Sequence, residues 1–542
     1  MRGNQTPLRF CPRCARIVLA GLLSIALSGC ATNPVTKKTE FGGWVSEQEE
    51  IRIGQANYLA YQQAQGGEYV TDQAVVSYVQ SVGQKLWSVS DRPNLPFEIV
   101  VLNSSVPNAW AIPGGKMAIN RGLLTELHSE SELAAVLGHE IVHVAARHGA
   151  HSQEVGTFMQ VLVLGAGLGA GLSSKTEDYQ DVIMQGSGLA AGLTSLKFGR
   201  GDELEADKYG IAYLSRAGYD VQSAVTLQET FLKLADDPGL LGAFFSTHPP
   251  TRERVDANKA TVQKYPAGGV QGREEFARAM AGLIKDKPAY KKLDEGEAAL
   301  AKKNPAAALA SAQAAIALQP REAHFYALAG KAQAAQHQYP QAVESLTKAI
   351  SLNNQYYEYY LDRGQVRCAM GSPQAARPDL EKSLTLLPTD TAHYLLGTIN
   401  MNSGNQRAAR ENFRAASFSS SSDGQKSGVL LAQLEIGENP ERYLQVGYTL
   451  NQRGFLVLTV QNNSPVDVGT CVLGLASPRS GRWETVTVPG GVPARRAARV
   501  PTNIGPFASL NDAQSVRYRF ERVDVATSPA APGSGFRRNR GR

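Results

Sequence analysis

The sequence lacks any concentration of basic charge before its C-terminal end. Its 542 residues carry 55 Lys and Arg against 49 Asp and Glu, which gives a net charge of +6. Proteins that bind nucleic acid gather Lys and Arg in one stretch or on one face. The charge distribution therefore excludes nucleic acid as the expected partner.

Cysteine is also scarce, with five residues in the chain. Cys11 and Cys14 lie in a charged N-terminal segment that is expected to be removed, which disfavours a redox or metal role for this pair. Cys368 and Cys471 fall in different predicted domains. We expect two free thiols there, although an oxidising compartment would permit a bond between them.

The N-terminus has no apolar run long enough to span a membrane, but it has the features of a targeting segment. Residues 17–27 are apolar and end in Leu27-Ser28-Gly29-Cys30, and four basic residues precede them: Arg2, Arg9, Arg13 and Arg16. The ending resembles the bacterial lipobox, which implies cleavage before Cys30 and a diacylglycerol on its sulfur. The residue after Cys30 is Ala31. An Asp at this position would favour retention at the inner membrane, so Ala31 implies an anchor in the outer membrane. Ordinary secretion is the alternative.

A His-Glu-x-x-His motif, His139-Glu140-x-x-His143, carries the strongest chemical signal. Ser129 and Glu132 have the spacing of a helix-capping box ahead of it. Residues four apart share one helix face, so the two histidines could hold one Zn²⁺ at about 2.0–2.1 Å. Glu140 lies about 100° around the helix, within reach of a metal-bound water as general base. A chance match in a chain with nine histidines is the alternative.

A third metal ligand has to come from another part of the chain. His148 lies nine residues beyond His139, on the far face of a continued helix, so it is interpreted as a solvated or capping residue. Glu203 and Asp207 are four apart on a predicted helix, and Gly210 would let that helix approach another closely. A carboxylate ligand supported by a second carboxylate suits a His₂Glu zinc site. A solvated acidic face is the alternative.

Residues 108–119 predict a turn followed by a strand, because Pro113-Gly114-Gly115 interrupts the apolar pattern. An exposed strand edge here could pair with an extended substrate through Asn108, Ala109, Pro113, Gly114 and Gly115. An ordinary hairpin is the alternative. Farther along, the Gly- and Ala-rich residues 155–192 predict mobile helices that flank or cover the cleft, and membrane contact by them is left open.

A period of 34 residues runs through residues 289–422. Small or turn residues recur at this step: Gly296, Gly330 and Gly364; Ala308, Ala342 and Ala376; Pro320, Asn354 and Pro388. A fourth unit with Gly397, Ala409 and Phe413 fits after a slip of one residue. The period predicts tetratricopeptide (TPR) repeats, an α-solenoid that binds proteins on a concave surface. Four tyrosines could serve either partner binding or core packing: Tyr356, Tyr357, Tyr359 and Tyr360.

Beyond the repeats the pattern changes to short strands. Residues 455–460, 469–473 and 515–520 are rich in β-branched and aromatic side chains, and Pro-Gly or Asn-Ser-Pro clusters separate them. We predict a small all-β domain of sandwich type over 440–526. Residues 527–542 are predicted to be disordered.

Four motifs in this order resemble the zinc peptidase family that includes HtpX and the CAAX prenyl endopeptidases. They are Asn108-Ala109-x-Ala111-x-Pro113-Gly114-Gly115, His139-Glu140-x-x-His143, Glu203-x-x-Ala206-Asp207-x-x-Gly210 and Ser246-Thr247-His248-Pro249-Pro250. With the signal segment and the helical repeats, the chain is most similar to the BepA (YfgC)-like periplasmic proteases of that family. The motifs cover about the first half of the chain.

The resemblance implies one zinc ion per chain and a defined set of residues around it. The zinc ligands would be His139, His143 and Glu203, and the general base would be Glu140. Asp207 would orient a ligand histidine. His248 would occupy the open zinc position and hold the enzyme inactive, and Arg252 would face the active site. The repeats would dock clients or machinery of outer-membrane β-barrel assembly.

We therefore predict a multi-domain protein with a mainly α, zincin-like (α+β) metalloprotease domain, an α-solenoid of TPR repeats and an all-β C-terminal domain. The predicted segments are a lipoprotein signal peptide (1–29), a lipid-anchored linker (30–45), the metallopeptidase domain (46–285), the repeats (289–422), the β domain (440–526) and the tail (527–542). The predicted function is zinc-dependent degradation of misassembled envelope or outer-membrane proteins in the periplasm. The alternative is a non-proteolytic chaperone or adaptor on a protease scaffold.

Overall fold

A computed structural model describes residues 30–41, 43–152, 198–234, 245, 247–476 and 481–526. The predictions for the signal peptide, for residues 155–192 and for the C-terminal tail concern residues outside these ranges. The chain forms two compact units, one up to Tyr359 and one from Tyr360 onward. Within the described ranges, no helix combines the length and the apolar character needed to cross a lipid bilayer.

The first unit begins with a strand pair in the segment predicted as a linker. Ala31 pairs with Glu40 and Thr32 with Thr39. The elements that follow, up to the repeats, mix short strands with helices. Their bounds are β1 Cys30–Thr32, β2 Thr39–Phe41, α1 Glu47–Ala64, α2 Gln73–Trp87, β3 Glu98–Leu102, β4 Ala109–Ile112, β5 Lys116–Asn120, α3 Arg121–Leu124, α4 Glu130–Ala145, α5 Arg200–Arg216, α6 Gln222–Leu234 and α7 Arg252–Val262.

Strands β3, β4 and β5 form a three-stranded sheet in the order β3-β5-β4. β3 runs parallel to β5, and β4 and β5 form a hairpin, the arrangement that the sequence analysis kept as the alternative. Its turn needs glycine: Gly114 has φ +83°, and a Cβ there would lie 2.6 Å from the carbonyl oxygen of Glu50 in α1. β4 lies at an edge of the sheet, and the turn that follows it packs closely against α1.

Helix α4 is the central element of the first unit, because every residue from Ser131 to Ala145 is buried. The Ser129 side chain accepts from the backbone N–H of Glu132 at 3.1 Å, as predicted. The Glu132 carboxylate accepts from the N–H of His128 at 2.7 Å rather than from Ser129, so the capping box is only half formed. The helix start is nonetheless where the sequence predicted it.

A buried ion network ends α4 and turns the chain back on itself. Arg147 has φ +65°, and its Nε donates to Glu50 at 2.6 Å. Arg92 donates to the other Glu50 oxygen at 2.8 Å and to the carbonyl of Val144 at 3.3 Å. Glu50 thus fixes the left-handed residue that reverses the chain after α4.

The helical repeats begin inside a long helix. α8, Arg273–Ala301, continues through Pro288 and across the predicted boundary between peptidase domain and repeats. The later helices of the first unit are α9 Pro305–Leu318, α10 Ala323–Ala335 and α11 Tyr339–Leu352. Those that follow are α12 Tyr357–Ala369, which begins at the end of the first unit, then α13 Pro373–Leu386, α14 Asp390–Asn402, α15 Gln406–Ala416 and α16 Ser422–Glu435.

The periodic glycines lie where paired helices touch. A Cβ on Gly296 would lie 2.4 Å from Leu328, one on Gly330 would lie 2.7 Å from Leu346, and one on Gly364 would lie 2.8 Å from Leu380. Gly397 has the same relation to Phe413, which supports the register slip in the fourth unit. The repeat prediction is therefore confirmed at the level of packing.

The second unit ends in two antiparallel three-stranded sheets, with orders β10-β7-β6 and β11-β8-β9. Their strands are β6 Leu444–Leu450, β7 Leu456–Asn462, β8 Val468–Ala476, β9 Trp483–Thr487, β10 Ala497–Pro501 and β11 Arg517–Val525, with a short helix α17 Leu510–Ala513. Leu458 and Val460 of one sheet and Leu473 and Leu475 of the other share one core. This confirms an all-β region. Both Cys368 and Cys471 carry free thiols.

The network around Glu50 gives a stability prediction. Glu50→Ala should lower the free energy of unfolding of the first unit by about 3 kcal/mol, because two arginines lose a buried carboxylate. Glu49→Ala is the matched control, since Glu49 pairs with the exposed Arg52 on the same helix. Urea denaturation followed by tryptophan fluorescence measures both. Equal midpoints for the two variants would contradict the proposed role of the network.

Candidate metal centre

Four side chains from three parts of the first unit meet at one point. His139 and His143 come from α4, Glu203 comes from the first turn of α5, and His248 precedes α7. All four are buried, and one ligand atom from each lies within 4.8 Å of the others. The structure thus brings together the three predicted ligands and the predicted loop histidine.

Five contacts between these side chains have lengths close to those between the ligands of one small cation. The Nε2 atoms of His139 and His143 are 3.1 Å apart, and Nδ1 of His248 lies 3.3 Å from His139 Nε2 and 3.0 Å from Glu203 Oε1. Glu203 Oε1 lies 3.4 Å from His143 Nε2, and Glu203 Oε2 lies 3.5 Å from His139 Nε2. Ligands about 2.0–2.1 Å from a tetrahedral Zn²⁺ lie roughly 3.3–3.4 Å from each other. The donor set of three imidazoles and one carboxylate therefore suits a divalent cation such as zinc.

Two glycines allow α4 and α5 to approach closely enough for this arrangement. A Cβ on Gly210 would lie 3.2 Å from the backbone nitrogen of His139, and one on Gly138 would lie 3.4 Å from the carbonyl oxygen of Gly210. The predicted function of Gly210 in helix packing is confirmed by this contact. Because α4 and α5 pack this closely, Glu203 lies opposite the two histidines of α4.

Asp207 holds the ring of His139. The Asp207 carboxylate lies 2.9 Å from His139 Nδ1, which leaves Nε2 facing the cluster. Burial alone would lower the pKa of His139, but the Glu203 carboxylate and the Asp207 hydrogen bond outweigh burial and raise the pKa to about 10. Burial also disfavours a charged Asp207, yet Arg254 keeps the pKa of that carboxyl below its ordinary value.

The arginine at the centre is Arg254, and the prediction for Arg252 is wrong. Arg252 is exposed at the start of α7, whereas Arg254 is buried. The Arg254 guanidinium contacts both Asp207 oxygens at 2.7 Å, lies 2.8 Å from Glu203 Oε2 and donates to the Pro249 carbonyl at 3.2 Å. Two residues along a helix correspond to about 200° of rotation, so only one of these arginines can face the centre.

Glu140 is 1% exposed and lies beside the ligand cluster. Among the residues that the structure describes, neither of its carboxylate oxygens has a hydrogen-bond partner. The Nε2 atom of His248 lies 3.5 Å from Glu140 Oε1. A buried carboxylate without hydrogen bonds is costly unless a ligand or cation completes its surroundings.

His148 is the contact that the sequence prediction missed. It is buried, and its Nδ1 lies 2.8 Å from Nδ1 of His143. The prediction assumed that α4 continues past His143, but the helix ends at Ala145 and Arg147 reverses the chain. The interpretation of His148 as a solvated or capping residue is therefore wrong. No pattern in the sequence marks the reversal.

The predicted substrate strand lies partly beside the centre. Ala111, Ile112 and Pro113 line a small pocket together with His143. Asn108 is at the other end of β4, where its side chain donates to Gln65 at 3.4 Å. A Cβ on Gly115 would lie 2.5 Å from the Pro96 carbonyl oxygen, so this glycine, like Gly114, has a packing function in the turn.

Residues 74–262 match the model of peptidase family M48, a stretch that includes the whole cluster. The chain contains a peptidase family M48 domain. The assigned region begins at the second residue of α2 and ends with α7. The family resemblance drawn from the four motifs is thereby confirmed.

Two relatives bear names of proteases. The β-barrel assembly-enhancing protease of Escherichia coli strain K12 is 28% identical over 257 residues, 45% of this chain and 50% of that protein. The mitochondrial metalloendopeptidase OMA1 of Schizosaccharomyces pombe is 31% identical over 223 residues, 41% of this chain and 63% of that protein. The chain thus spans about half the length of the first relative. The crystal structure of MamA, 24% identical, covers 28% of this chain and 89% of its own at a TM-score of 0.23.

Arg254 and Arg252 form a matched pair for a test of the centre. Arg254→Ala should lower the free energy of unfolding by about 3 kcal/mol, because it leaves Asp207 and Glu203 buried without their guanidinium. It should also weaken retention of a divalent cation by roughly 10–100-fold, the usual effect of losing support for a ligand. Arg252→Ala should change neither property. Thermal unfolding and competition with a chelator measure both, and an equal effect of the two substitutions would refute this assignment.

Proposed function

We propose that this protein is a zinc-dependent endopeptidase whose metal centre is closed by His248. The observation that supports it most directly is the cluster of four buried ligand atoms, all within 4.8 Å of one another, beside the buried Glu140, whose carboxylate accepts no hydrogen bond from any residue that the structure describes. The M48 domain and the protease relatives point to the same chemistry. The proposal assigns the metal to His139, His143 and Glu203 and the general base to Glu140.

A zinc ion held by His139, His143 and Glu203 would supply a Lewis acid that polarises a carbonyl group and lowers the pKa of water. Glu140 would accept the proton of the attacking water and donate it to the leaving amine, which is the usual function of a buried carboxylate base. Asp207 orients His139 through its Nδ1, and Arg254 holds Asp207 in turn. The site excludes bulk water, because all four cluster residues, His139, His143, Glu203 and His248, are buried.

In this proposal His248 makes the enzyme latent. Its Nδ1 faces Glu203 and His139, and its other ring nitrogen lies 3.5 Å from the base Glu140. The ring thus fills the space between the ligands and the base, where water and the substrate carbonyl have to enter. Cleavage requires the segment 247–250 to move. Pro249 and Pro250 restrict the backbone conformations of that segment, which favours displacement as a unit.

The cellular role that we propose is degradation of misassembled envelope or outer-membrane proteins in the bacterial periplasm. The signal segment and Cys30 support a lipid anchor in the outer membrane. The repeats offer surfaces that recruit client proteins or assembly machinery, and the name of the β-barrel assembly-enhancing relatives is consistent with such clients. The edge strand β4, whose end lies beside His143, is positioned to pair with an extended client segment.

Glu140→Gln tests the enzymatic proposal. With an unfolded outer-membrane protein as substrate, kcat/KM should fall by about 10²–10⁴, because an amide cannot accept the proton. Metal content should stay at one zinc per chain. Glu132→Gln, a carboxylate replacement in the same helix, is the control and should retain activity. If Glu140→Gln retains envelope quality control in cells, the non-proteolytic adaptor is favoured instead.

His248→Ala tests latency. Removal of the ring should raise the cleavage rate above that of the wild type, since water and substrate gain access. A gain of about tenfold would mean that the closed arrangement is favoured by about 1.4 kcal/mol. His128→Ala, at the exposed start of α4, is the control. A variant that retains its zinc and is no faster than the wild type would remove the basis for gating by His248.

A further inference from the structure

The ring of His143 has its second nitrogen on another histidine. Its Nε2 faces the cluster, 3.1 Å from His139 Nε2, so Nδ1 points away from the metal position. That Nδ1 lies 2.8 Å from Nδ1 of His148, which is 4% exposed. On its other side, His148 Nε2 lies 3.3 Å from Glu205 Oε1. His148 therefore lies between a predicted ligand and a carboxylate that is outside the cluster.

These contacts are compatible with one arrangement of protons when Nε2 of His143 binds a metal. The lone pair of Nε2 then belongs to the metal, so the ring proton is on Nδ1 and has to be donated. His148 Nδ1 is the acceptor in reach, which places the proton of His148 on Nε2. That proton is donated to Glu205. Both rings are neutral, and every hydrogen bond in the series has one donor and one acceptor.

Glu205 is itself held by the N-terminal segment. Asn33, between β1 and β2, donates from Nδ2 to Glu205 Oε1 at 3.1 Å and to Glu40 at 3.0 Å. The Asn33 side-chain oxygen accepts from the backbone N–H groups of Val35 and Thr36. The amide orientation is therefore fixed at both ends. A segment predicted as a simple linker thus contacts a residue two hydrogen bonds away from the metal cluster.

The two histidines of α4 differ in what supports them. His139 Nδ1 faces the carboxylate of Asp207, whereas His143 Nδ1 faces the imidazole of His148. Phe198 stacks on His143 with ring centroids 3.9 Å apart and an angle of 18° between planes, which restrains the ring but offers no acceptor. Asp202 is the other charged group facing His148, 4.0 Å from its Nε2. Phe198 thus restrains the orientation of the His143 ring, whereas His148 determines which nitrogen of that ring carries the proton.

We propose that His148 is a positioning residue for the metal centre, and that Glu205 and Asn33 complete the series that fixes it. His148 accepts the Nδ1 proton of His143 and so sets the tautomer and ring orientation in which Nε2 can bind a metal. Residues that accept the second N–H of a ligand histidine commonly contribute 10–100-fold to metal affinity. The proposal deepens the proposed function, since it rests on His143 as a ligand.

The first experiment reads the tautomers in full-length protein loaded with Zn²⁺. Nitrogen-15 histidine NMR, with the signals assigned by substitution, should show His148 protonated at Nε2 and His143 protonated at Nδ1. This readout needs no substrate, so it does not depend on peptidase activity. His148 protonated at Nδ1 would overturn the proposal, because that ring could not accept from His143.

The second experiment measures zinc affinity by competition with a chelating dye. His148→Phe keeps a ring in the site but removes the acceptor, and it should weaken zinc binding by roughly 10–100-fold. His148→Gln restores a side-chain oxygen and should recover most of the affinity. His151→Phe, one turn farther along the chain, is the matched control and should bind as the wild type does. Thermal unfolding of the metal-free variants separates loss of affinity from loss of fold.

The possible results distinguish a failure of the positioning role of His148 from a failure of the proposed metal function. Equal affinities of His148→Phe and the wild type would overturn the positioning role, and so would an equal loss in His148→Phe and His148→Gln, since a space-filling residue predicts that result. Glu205→Leu should weaken binding less than His148→Phe, and Glu205→Gln less still. If the wild type binds no divalent cation, the proposed metal function fails, whereas zinc binding with His148 protonated at Nδ1 overturns only the positioning role of His148.

Discussion

The contact between Gly138 and Gly210 is the constraint on which the metal centre depends. Both glycines leave room for α4 and α5 to touch at the level of His139, where a Cβ on Gly210 would be 3.2 Å from a backbone nitrogen. Metal ligands tolerate deviations of only about 0.2 Å. The two histidines of α4 are fixed by their spacing on one helix, but Glu203 is on another helix, so its position depends on how closely the two helices pack. A larger side chain at this contact would push the helices apart by a few tenths of an ångström or more, which is comparable to that tolerance.

The electrostatics of the centre call for a cation. Among the residues that the structure describes, the three buried carboxylates of Glu140, Glu203 and Asp207 lie beside one buried guanidinium, that of Arg254. Buried charges of one sign are unfavourable unless they are paired or bind a metal. The elevated pKa of His139 has the same origin, because a proton on that ring offsets part of the negative charge. A divalent cation would balance the two surplus carboxylates and leave the histidines neutral, as ligands have to be.

Features that depend on local geometry could be predicted from the sequence alone, whereas the tertiary partners Glu203 and His248 could be assigned only with the family motifs, and two other tertiary contacts were missed. The face shared by His139 and His143 follows from helix geometry, and the glycine positions of the repeats follow from a 34-residue period. His148 was misplaced because the reversal at Arg147 is imposed by Glu50, which lies almost a hundred residues earlier. Arg252 was preferred to Arg254 because the family motif gives the neighbourhood of the arginine, whereas the first turn of α7 decides which side chain faces inward.

The hydrogen bonds around Arg254 indicate how the centre could open without losing its ligands. Arg254 makes two charged contacts to Asp207 at 2.7 Å, but its contact with the segment that carries His248 is a single bond to the Pro249 carbonyl at 3.2 Å. A bond to a neutral carbonyl contributes about 0.5–1.5 kcal/mol net, whereas a paired, charge-assisted contact is roughly twice as strong per bond. In the proposed displacement of the His248 segment, the bond of Arg254 to the Pro249 carbonyl would therefore break before its bonds to Asp207. Asp207 would keep the ring of His139 in place, and the contact between His143 and His148 lies outside segment 247–250.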